Sequence, residues 1–244
     1  MGAFLRFLLL TGIKLVAGLF YRFETQWIAP PDPSWDNLRV MALLNHTSLY
    51  EWLYAGAAPT GVLWHIAHRA FIPIADKTAA RPIVGRFLTS LAPHHQPISR
   101  EFDHTWTAVL DRVQEDVLVV IAPEGRMMRA NGLDRHGCPM TVRGGIADIL
   151  RTIPDGRMLL VYLGGLHHVQ APGERVTPRL WKTIRATFEP IDIAQYKADL
   201  GLSEDPLEFK AAVKADLERR RDLYCPTPDS PAAASPRAAT PDRV

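Results

Sequence analysis

Cysteine is scarce in this sequence of 244 residues. The two cysteines, Cys138 and Cys225, are far apart and do not have a spacing typical of a metal site. A disulfide framework is therefore excluded as the basis of the fold, and a reducing compartment is expected.

An excess of charge of one sign is also lacking. The sequence has 28 basic and 26 acidic residues, which gives a formal net charge of +2. Nucleic-acid-binding domains usually carry a much stronger positive charge, so no nucleic-acid partner is expected. Hydrophobic residues make up 47% of the chain, enough for a substantial core in one globular domain.

The N-terminal segment lacks an uninterrupted apolar run, because Arg6 and Lys14 divide it. It also lacks the small-residue cleavage site of a secretory signal, so a signal peptide is not expected. On a helix, the polar side would carry Arg6, Thr11, Lys14, Gly18 and Arg22, and the apolar side Leu5, Leu8, Leu15, Val16, Leu19, Phe20 and Phe23. This division predicts an amphipathic helical segment.

A spanning helix would place Lys14 near the bilayer centre, at a cost of about 2.5–3.5 kcal/mol on insertion scales. A helix lying in the interface lets the cations reach lipid headgroups while the apolar side is buried. We therefore predict that residues 1–30 associate with an anionic membrane surface, as in a peripheral or monotopic protein on the cytoplasmic face. The alternative is an ordinary core helix of a soluble protein.

Strand-like and helix-like patterns alternate through residues 31–225, which we predict to form one domain. The strand candidates are the apolar runs 38–44, 61–67, 117–125 and 157–165, and the helix candidates are 48–58, 104–115, 143–151 and 206–224. This alternation predicts an α/β fold with a mostly parallel sheet flanked by helices. Residues 226–244 are rich in Pro, Ala and Ser and are predicted to be a disordered tail.

Polar clusters follow two of the predicted strands. NHTSLYE follows the strand 38–44 and contains His46 and Glu51, while PEGRMMR follows the apolar core of the run 117–125. Ligands of open α/β sheets bind at the carboxyl ends of the strands, so these clusters either form a site or are ordinary surface loops. The His-x4-Glu spacing allows the carboxylate to fold back onto one imidazole nitrogen, leaving the other as a general base.

Several blocks of the sequence resemble the glycerophospholipid acyltransferases of the lysophosphatidate type. NHTSLYE resembles the NHxSxxD block of that family, APEGRMMR its FPEGTRS block, and PISRE the block that ends in a substrate-binding arginine. TVRGG and VYLGG follow in the order of the later family elements. The resemblance covers roughly residues 40–166 and depends on the order of the blocks.

The resemblance implies transfer of a fatty acyl group from acyl-CoA or acyl carrier protein to the hydroxyl of a lysophospholipid such as lysophosphatidate. By position it implies a general base, His46, oriented by Glu51, and loop support from Asn45 and Ser48. The substrate-binding candidates are Arg100, Glu124, Gly125, Arg126 and Arg129. No metal and no tightly bound cofactor is implied.

The sequence departs from the family pattern at several positions. Glu51 replaces the usual aspartate, as in acyltransferases that act on lipid A and glycolipids, while Arg126 and Met127 replace threonine and arginine. Two alternatives therefore stay open. One is a different glycolipid or lysophospholipid acceptor, and the other is a catalytically impaired lipid-binding homologue.

Histidine pairs raise the further alternative of a metal hydrolase. They are His65 with His68, His94 with His95, and His167 with His168. Their spacings are irregular and no set of acidic residues accompanies them, while adjacent histidines in a strand point to opposite faces. We do not expect a metal site.

Overall fold

The computed structural model describes residues 1–31, 35–99, 103–172, 177–201 and 205–227. Arg100 therefore lies outside the described residues, as does almost all of the predicted tail.

A seven-stranded sheet is the centre of the fold. Its strands are β1 Arg22–Trp27, β2 Leu38–Leu44, β3 Ala70–Ala75, β4 His94–Ile98, β5 Leu118–Ile121, β6 Arg157–Leu163 and β7 Thr183–Asp192. They lie in the order β1-β7-β6-β2-β5-β3-β4. Neighbouring strands are parallel except β6 and β7, which are antiparallel. The predicted α/β class with a mostly parallel sheet is confirmed.

Helices cover both faces of the sheet. They are α1 Ala3–Phe20, α2 Thr60–Arg69, α3 Asp76–Ala79, α4 Val84–Ser90, α5 His104–Val113, α6 Gly145–Thr152, α7 Ile193–Asp199 and α8 Pro206–Tyr224, with 3₁₀ helices at Glu51–Gly56 and Leu166–His168. On one face, α5, α6, α7 and α8 pack over Val40 and Ala42 of β2. On the other, α1, α2 and the first 3₁₀ helix pack over Met41 and Leu43. This alternation along β2 is what a strand buried on both faces requires.

The central strands are those that the sequence predicts. The runs 38–44, 117–125 and 157–165 contain β2, β5 and β6, which are neighbours in the sheet. Six of the seven residues of β6 are buried, which explains its continuous apolar pattern. The helix predicted at 206–224 is α8, with Asp205 as its N-cap.

The strand predicted at 61–67 is wrong, since this run lies in α2. Val62, Leu63 and Ala67 are buried while Trp64 is 43% exposed, which is the pattern of a helix with one face on the protein. A short apolar run does not distinguish a strand from a buried helix turn. The strand comes directly afterwards, as β3, and was missed because Pro73 interrupts it.

The N-terminal segment is helical only as far as Phe20. Residues 22–27 form β1, which pairs with β7 at the edge of the sheet, so the predicted segment 1–30 contains both a helix and a strand. The polar pattern of Glu24, Thr25 and Gln26 is that of an edge strand rather than of a continued apolar helix.

The part of the polar side of α1 around Thr11 and Lys14 faces the protein, which corrects the expected position of Lys14. Its ammonium group donates hydrogen bonds to the carbonyl oxygens of Ala58, at 2.5 Å, and Gly56, at 3.4 Å. Burial lowers the pKa of Lys14. Thr11 Oγ1 is also buried. Lys14 therefore satisfies backbone carbonyls of the protein instead of reaching lipid headgroups.

The opposite side of α1 is apolar and exposed. It carries Phe4, Leu5, Leu8, Leu15, Val16 and Leu19, each about half or more exposed. These residues recur at the spacing of a single helical face. By length and composition alone, α1 could also cross a membrane.

Candidate active site

The ends of β2, β5 and β6 define one edge of the sheet, here called the carboxyl edge. Because β2 is parallel to both β5 and β6, the three strands end side by side. The segment after β2 begins with Asn45 and His46, and the segment after β5 includes Glu124. The two polar clusters found in the sequence are thus brought together at the place where open α/β sheets bind ligands.

His46 and Glu51 form a direct pair. Nδ1 of His46 lies 2.5 Å from Oε2 of Glu51, and Oε1 of the same carboxylate accepts the backbone N–H of Thr47 at 2.8 Å. Glu51 is the first residue of the 3₁₀ helix Glu51–Gly56, which turns its side chain back toward the histidine. Because a carboxylate can only accept, this contact requires the imidazole to carry a proton on Nδ1.

Both members of the pair are partly shielded from solvent. The side chain of His46 is 20% exposed and that of Glu51 is 10% exposed. The carboxylate has a hydrogen-bond donor for each oxygen, so its burial is compensated. The longer side chain of glutamate lets it contact both the imidazole and the Thr47 amide from the start of the 3₁₀ helix.

Glu124 is turned inward. Its Oε2 accepts the backbone N–H of His46 at 2.7 Å, and its Oε1 accepts that of Asn45 at 3.1 Å and lies 3.3 Å from Nη1 of Arg221. The residue is 1% exposed. Burial raises the pKa of Glu124, while these donors act in the opposite direction. These contacts hold the Glu124 carboxylate against the backbone of Asn45 and His46.

Polar side chains fix the segment after β2 to the segment after β6. Asn45 has a positive φ of 69°, and its Nδ2 donates to the carbonyl of Leu163 at 2.7 Å. Thr47 Oγ1 accepts the N–H of Leu166 at 2.9 Å. Ser48 Oγ donates to Gln170 at 3.1 Å. A non-glycine residue at positive φ is held only by surrounding contacts, and Asn45 has them on both its backbone and its side chain.

Gly125 makes the turn that follows Glu124. Its φ is +62°, and a Cβ built there would lie 3.2 Å from Cδ of Arg143. The Gly125 N–H donates to Ala122, and the Arg143 N–H donates to Pro123 at 2.9 Å. Glycine therefore allows both the left-handed backbone and the close approach of the arginine.

Two further cations lie on the segment that follows Gly125. The guanidinium of Arg126 pairs with the buried carboxylate of Asp134 and remains 40% exposed, and Arg129 is exposed. The Met128 N–H between them donates to the carbonyl of His46 at 2.7 Å. This bond holds the backbone between the two arginines against the backbone of His46.

Two residues of the site were not predicted. Arg221 of α8 contacts Glu124 and the carbonyl of Met140, at 3.0 Å, and Nε2 of His167 lies 2.8 Å from the carbonyl of Met128. Arg221 is 97 residues from Glu124 and lies in a run of arginines that looks like a solvated helix face. A long-range contact of this kind leaves no local signal in a sequence.

Among the described ranges, no three His, Cys, Asp or Glu side chains come together as a set that could hold a metal ion. The histidine pairs noted in the sequence are dispersed over α2, β4 and the second 3₁₀ helix.

Comparison with known proteins identifies the fold. No family model and no curated protein matches the sequence, so the likeness is found at the level of structure. The fold is that of a solved acyltransferase. This is the 1-acyl-sn-glycerophosphate (LPA) acyltransferase PlsC from Thermotoga maritima, which matches with a TM-score of 0.54 and 17% identity over 90% of this chain and 81% of the other. At this identity the likeness establishes the fold alone.

Proposed function

We propose that this protein is an O-acyltransferase that moves a fatty acyl group from acyl-CoA or acyl carrier protein to the hydroxyl of a lysophospholipid. The observation that carries the proposal is the 2.5 Å contact between His46 Nδ1 and Glu51 Oε2 at the carboxyl edge of an acyltransferase fold. It provides a general base whose tautomer is fixed by its partner.

The proposed reaction uses no covalent enzyme intermediate. Nε2 of His46 takes the proton of the acceptor hydroxyl as its oxygen attacks the thioester carbonyl. The C–O bond forms, the C–S bond breaks, and the departing sulfur takes the proton from the imidazolium, which leaves an ester and a free thiol. Glu51 stabilises the imidazolium between the two proton transfers.

The acceptor headgroup is proposed to be anionic. Arg126 and Arg129 lie on the segment that the Met128–His46 bond holds against the catalytic pair, and Arg100 is carried over from the family resemblance. Guanidinium groups suit phosphate because they offer several donors in one plane. The lysophosphatidate-type acceptor is therefore favoured over a neutral one.

Membrane attachment through α1 belongs to the same proposal. Its apolar side is exposed, while its other side packs on α2 and holds Lys14 against the Ala58 carbonyl. A spanning position would break these contacts, so we propose that α1 lies on the bilayer surface at its cytoplasmic face. Lipid substrates would then reach the site from the bilayer.

The proposal is tested by mixing the purified full chain with palmitoyl-CoA and lysophosphatidate. Acceptor-dependent release of free thiol and formation of a diacyl product are expected. Transfer to a glycolipid but not to lysophosphatidate would favour the alternative acceptor class. Lipid binding without thiol release from any acyl-CoA or acyl carrier protein would identify an impaired homologue, for which the altered Arg126 and Met127 positions are the supporting observation.

Replacing Arg100 by alanine is expected to raise the apparent KM for lysophosphatidate more than it lowers kcat. A headgroup anchor contributes the same binding in the ground state and the transition state, which is the pattern of lost uniform binding. Steady-state kinetics with varied acceptor measure both constants, and the same assay on Arg135→Ala, an exposed arginine, is the control. Equal use of a monoacylglycerol by the parent enzyme would contradict the anionic-acceptor assignment.

A further inference from the structure

Two large apolar side chains are exposed directly before β7. Leu180 is 43% exposed and Trp181 is 72% exposed. They lie in residues 179–182, here called the Trp181 loop. Single exposed apolar residues are common, but an exposed tryptophan beside an exposed leucine indicates a contact surface.

The backbone holds Trp181 in its exposed position. Its φ is 61°, in the left-handed region that disfavours bulky side chains, and its N–H donates to the carbonyl of Phe20 at 2.9 Å. The rings of Trp181 and Phe20 are 5.6 Å apart. On the other side of the loop, the Arg22 N–H donates to the carbonyl of Lys182 at 3.1 Å. The outward tryptophan is thus fixed on both sides.

The Trp181 loop continues the exposed apolar side of α1. Phe20, which contacts Trp181, is the last residue of α1, and Leu19 beside it is 66% exposed. Leu15 and Val16 extend the same side one turn further back. The helix and the loop therefore form one apolar surface, although they are 160 residues apart in sequence.

Basic residues surround the loop end of this surface. Arg179 and Lys182 are exposed, and the side chain of Arg22 is 78% exposed. Among these cations, Arg22 lies 3.7 Å from Glu24, whose carboxylate is held by Arg185 at 2.7 Å. Tryptophan flanked by cations is the composition found at the interface of an anionic bilayer.

The surface adjoins the carboxyl edge of the sheet. Because β7 is antiparallel to β6, β7 begins at the edge where β6 ends, and β1 begins beside it. The Trp181 loop and the end of α1 are therefore on the edge that carries His46 and Glu51.

We propose that the Trp181 loop is a second membrane contact, which inserts Trp181 and Leu180 at headgroup depth beside α1. Its partner is an anionic phospholipid bilayer, attracted by Arg22, Arg179 and Lys182. The two contacts together direct the carboxyl edge toward the bilayer. The inference depends on the proposed membrane attachment of α1 and defines the orientation of the bound protein.

The test compares binding of the full chain to vesicles of phosphatidylcholine with phosphatidylglycerol by co-sedimentation. The double substitution Leu180→Ser and Trp181→Ser is expected to lower the partition coefficient about tenfold, because apolar area no longer leaves water. The matched control is Leu207→Ser, since Leu207 is 73% exposed but lies on α8, over the opposite face of the sheet. That control should bind like the parent protein.

The charged residues are tested with Arg179→Gln and Lys182→Gln. Each basic residue near an anionic surface contributes roughly fivefold to binding, so the pair of substitutions should matter with phosphatidylglycerol and not with phosphatidylcholine alone. High salt should reduce the difference between the two vesicle compositions, since the cations are exposed.

Several results would overturn the inference. One is that the Leu180→Ser, Trp181→Ser double variant binds vesicles like the parent protein, while an α1 variant with Leu8, Leu15 and Leu19 changed to serine does not bind. Another is a dimer of the parent protein that the double variant dissociates, because the surface would then contact a second copy. Acyl transfer measured in detergent micelles separates this inference from the proposed acyltransferase function. If the parent protein is active in micelles but the double variant binds vesicles as well as the parent, only the Trp181 loop contact is contradicted.

Discussion

Replacing His46 by alanine should lower kcat/KM for acyl transfer by about 10²–10⁴-fold, the usual contribution of a general base. This corresponds to roughly 3–5 kcal/mol of the barrier. The imidazole is held on Glu51 at 2.5 Å, so the variant removes the base and leaves the carboxylate with only the Thr47 amide. The measurement is the rate of thiol release with saturating lysophosphatidate and varied palmitoyl-CoA, on protein whose thermal unfolding matches that of the parent.

Variants of Glu51 distinguish a histidine that acts as a general base from one that is only structural. Glu51→Gln should cost less than His46→Ala, because the imidazole remains although its tautomer is no longer fixed. Glu51→Asp keeps the charge but is one methylene shorter, so it should fall between Glu51→Gln and the parent. The double variant His46→Ala with Glu51→Gln should be no worse than His46→Ala alone, since the two residues act as a unit. A folded His46→Ala protein with full activity would refute the mechanism.

The second large effect is expected at the buried Glu124–Arg221 pair. Replacing Glu124 by alanine leaves the amides of Asn45 and His46 and one guanidinium without their carboxylate. Removing one partner of a buried pair costs about 3–5 kcal/mol of the free energy of unfolding. Chemical denaturation measures this loss, and activity should fall with it because the backbone of His46 loses its support.

Arg221→Met is the more selective variant of this pair. The structure offers a close control on the neighbouring residue, since Arg220 pairs with the buried Glu189 at 2.6 Å and with Asp216 rather than with Glu124. Both Arg221→Met and Arg220→Met should destabilise the protein. At low temperature, where both variants remain folded, only Arg221→Met should lower kcat. Equal kcat values for the two variants would show that the Glu124 pair is structural and does not position the catalytic histidine.

The sequence predicted the three central strands of the sheet better than the strands on either side of them. Strands β2, β5 and β6 are buried on both faces, so their apolar runs are a direct result of their position. The edge strand β4 has the sequence HHQPI, with an internal proline and no buried residue, and it carries no such pattern. The strand prediction for residues 61–67 was wrong for a related reason. A helix packed on one side can have as many apolar residues as a short strand.

The contact between His46 and Glu51 could be predicted because both residues lie within one short segment. His46 and Glu51 are five positions apart, so their contact is a local property of the turn. The inward position of Glu124 could not be predicted in this way. It depends on β5 lying beside β2 and on Arg221 approaching from α8, and these are long-range contacts. The side of α1 that faces the protein could not be predicted either. Hydrophobicity alone placed Lys14 in water or at lipid headgroups, whereas in the structure it donates to carbonyl oxygens.

The pairing of β1 with β7 has a consequence for the order of folding during synthesis. Arg22 and Thr183 are partners in the sheet, so about three-quarters of the chain must be synthesised before β1 can be paired. By contrast, α1 packs on α2 and on residues near Gly56, which emerge from the ribosome soon after it. The N-terminal helices can therefore associate early, whereas the edge of the sheet closes late. Contacts of such long sequence separation slow folding, and closure of this edge is expected to be among the last steps.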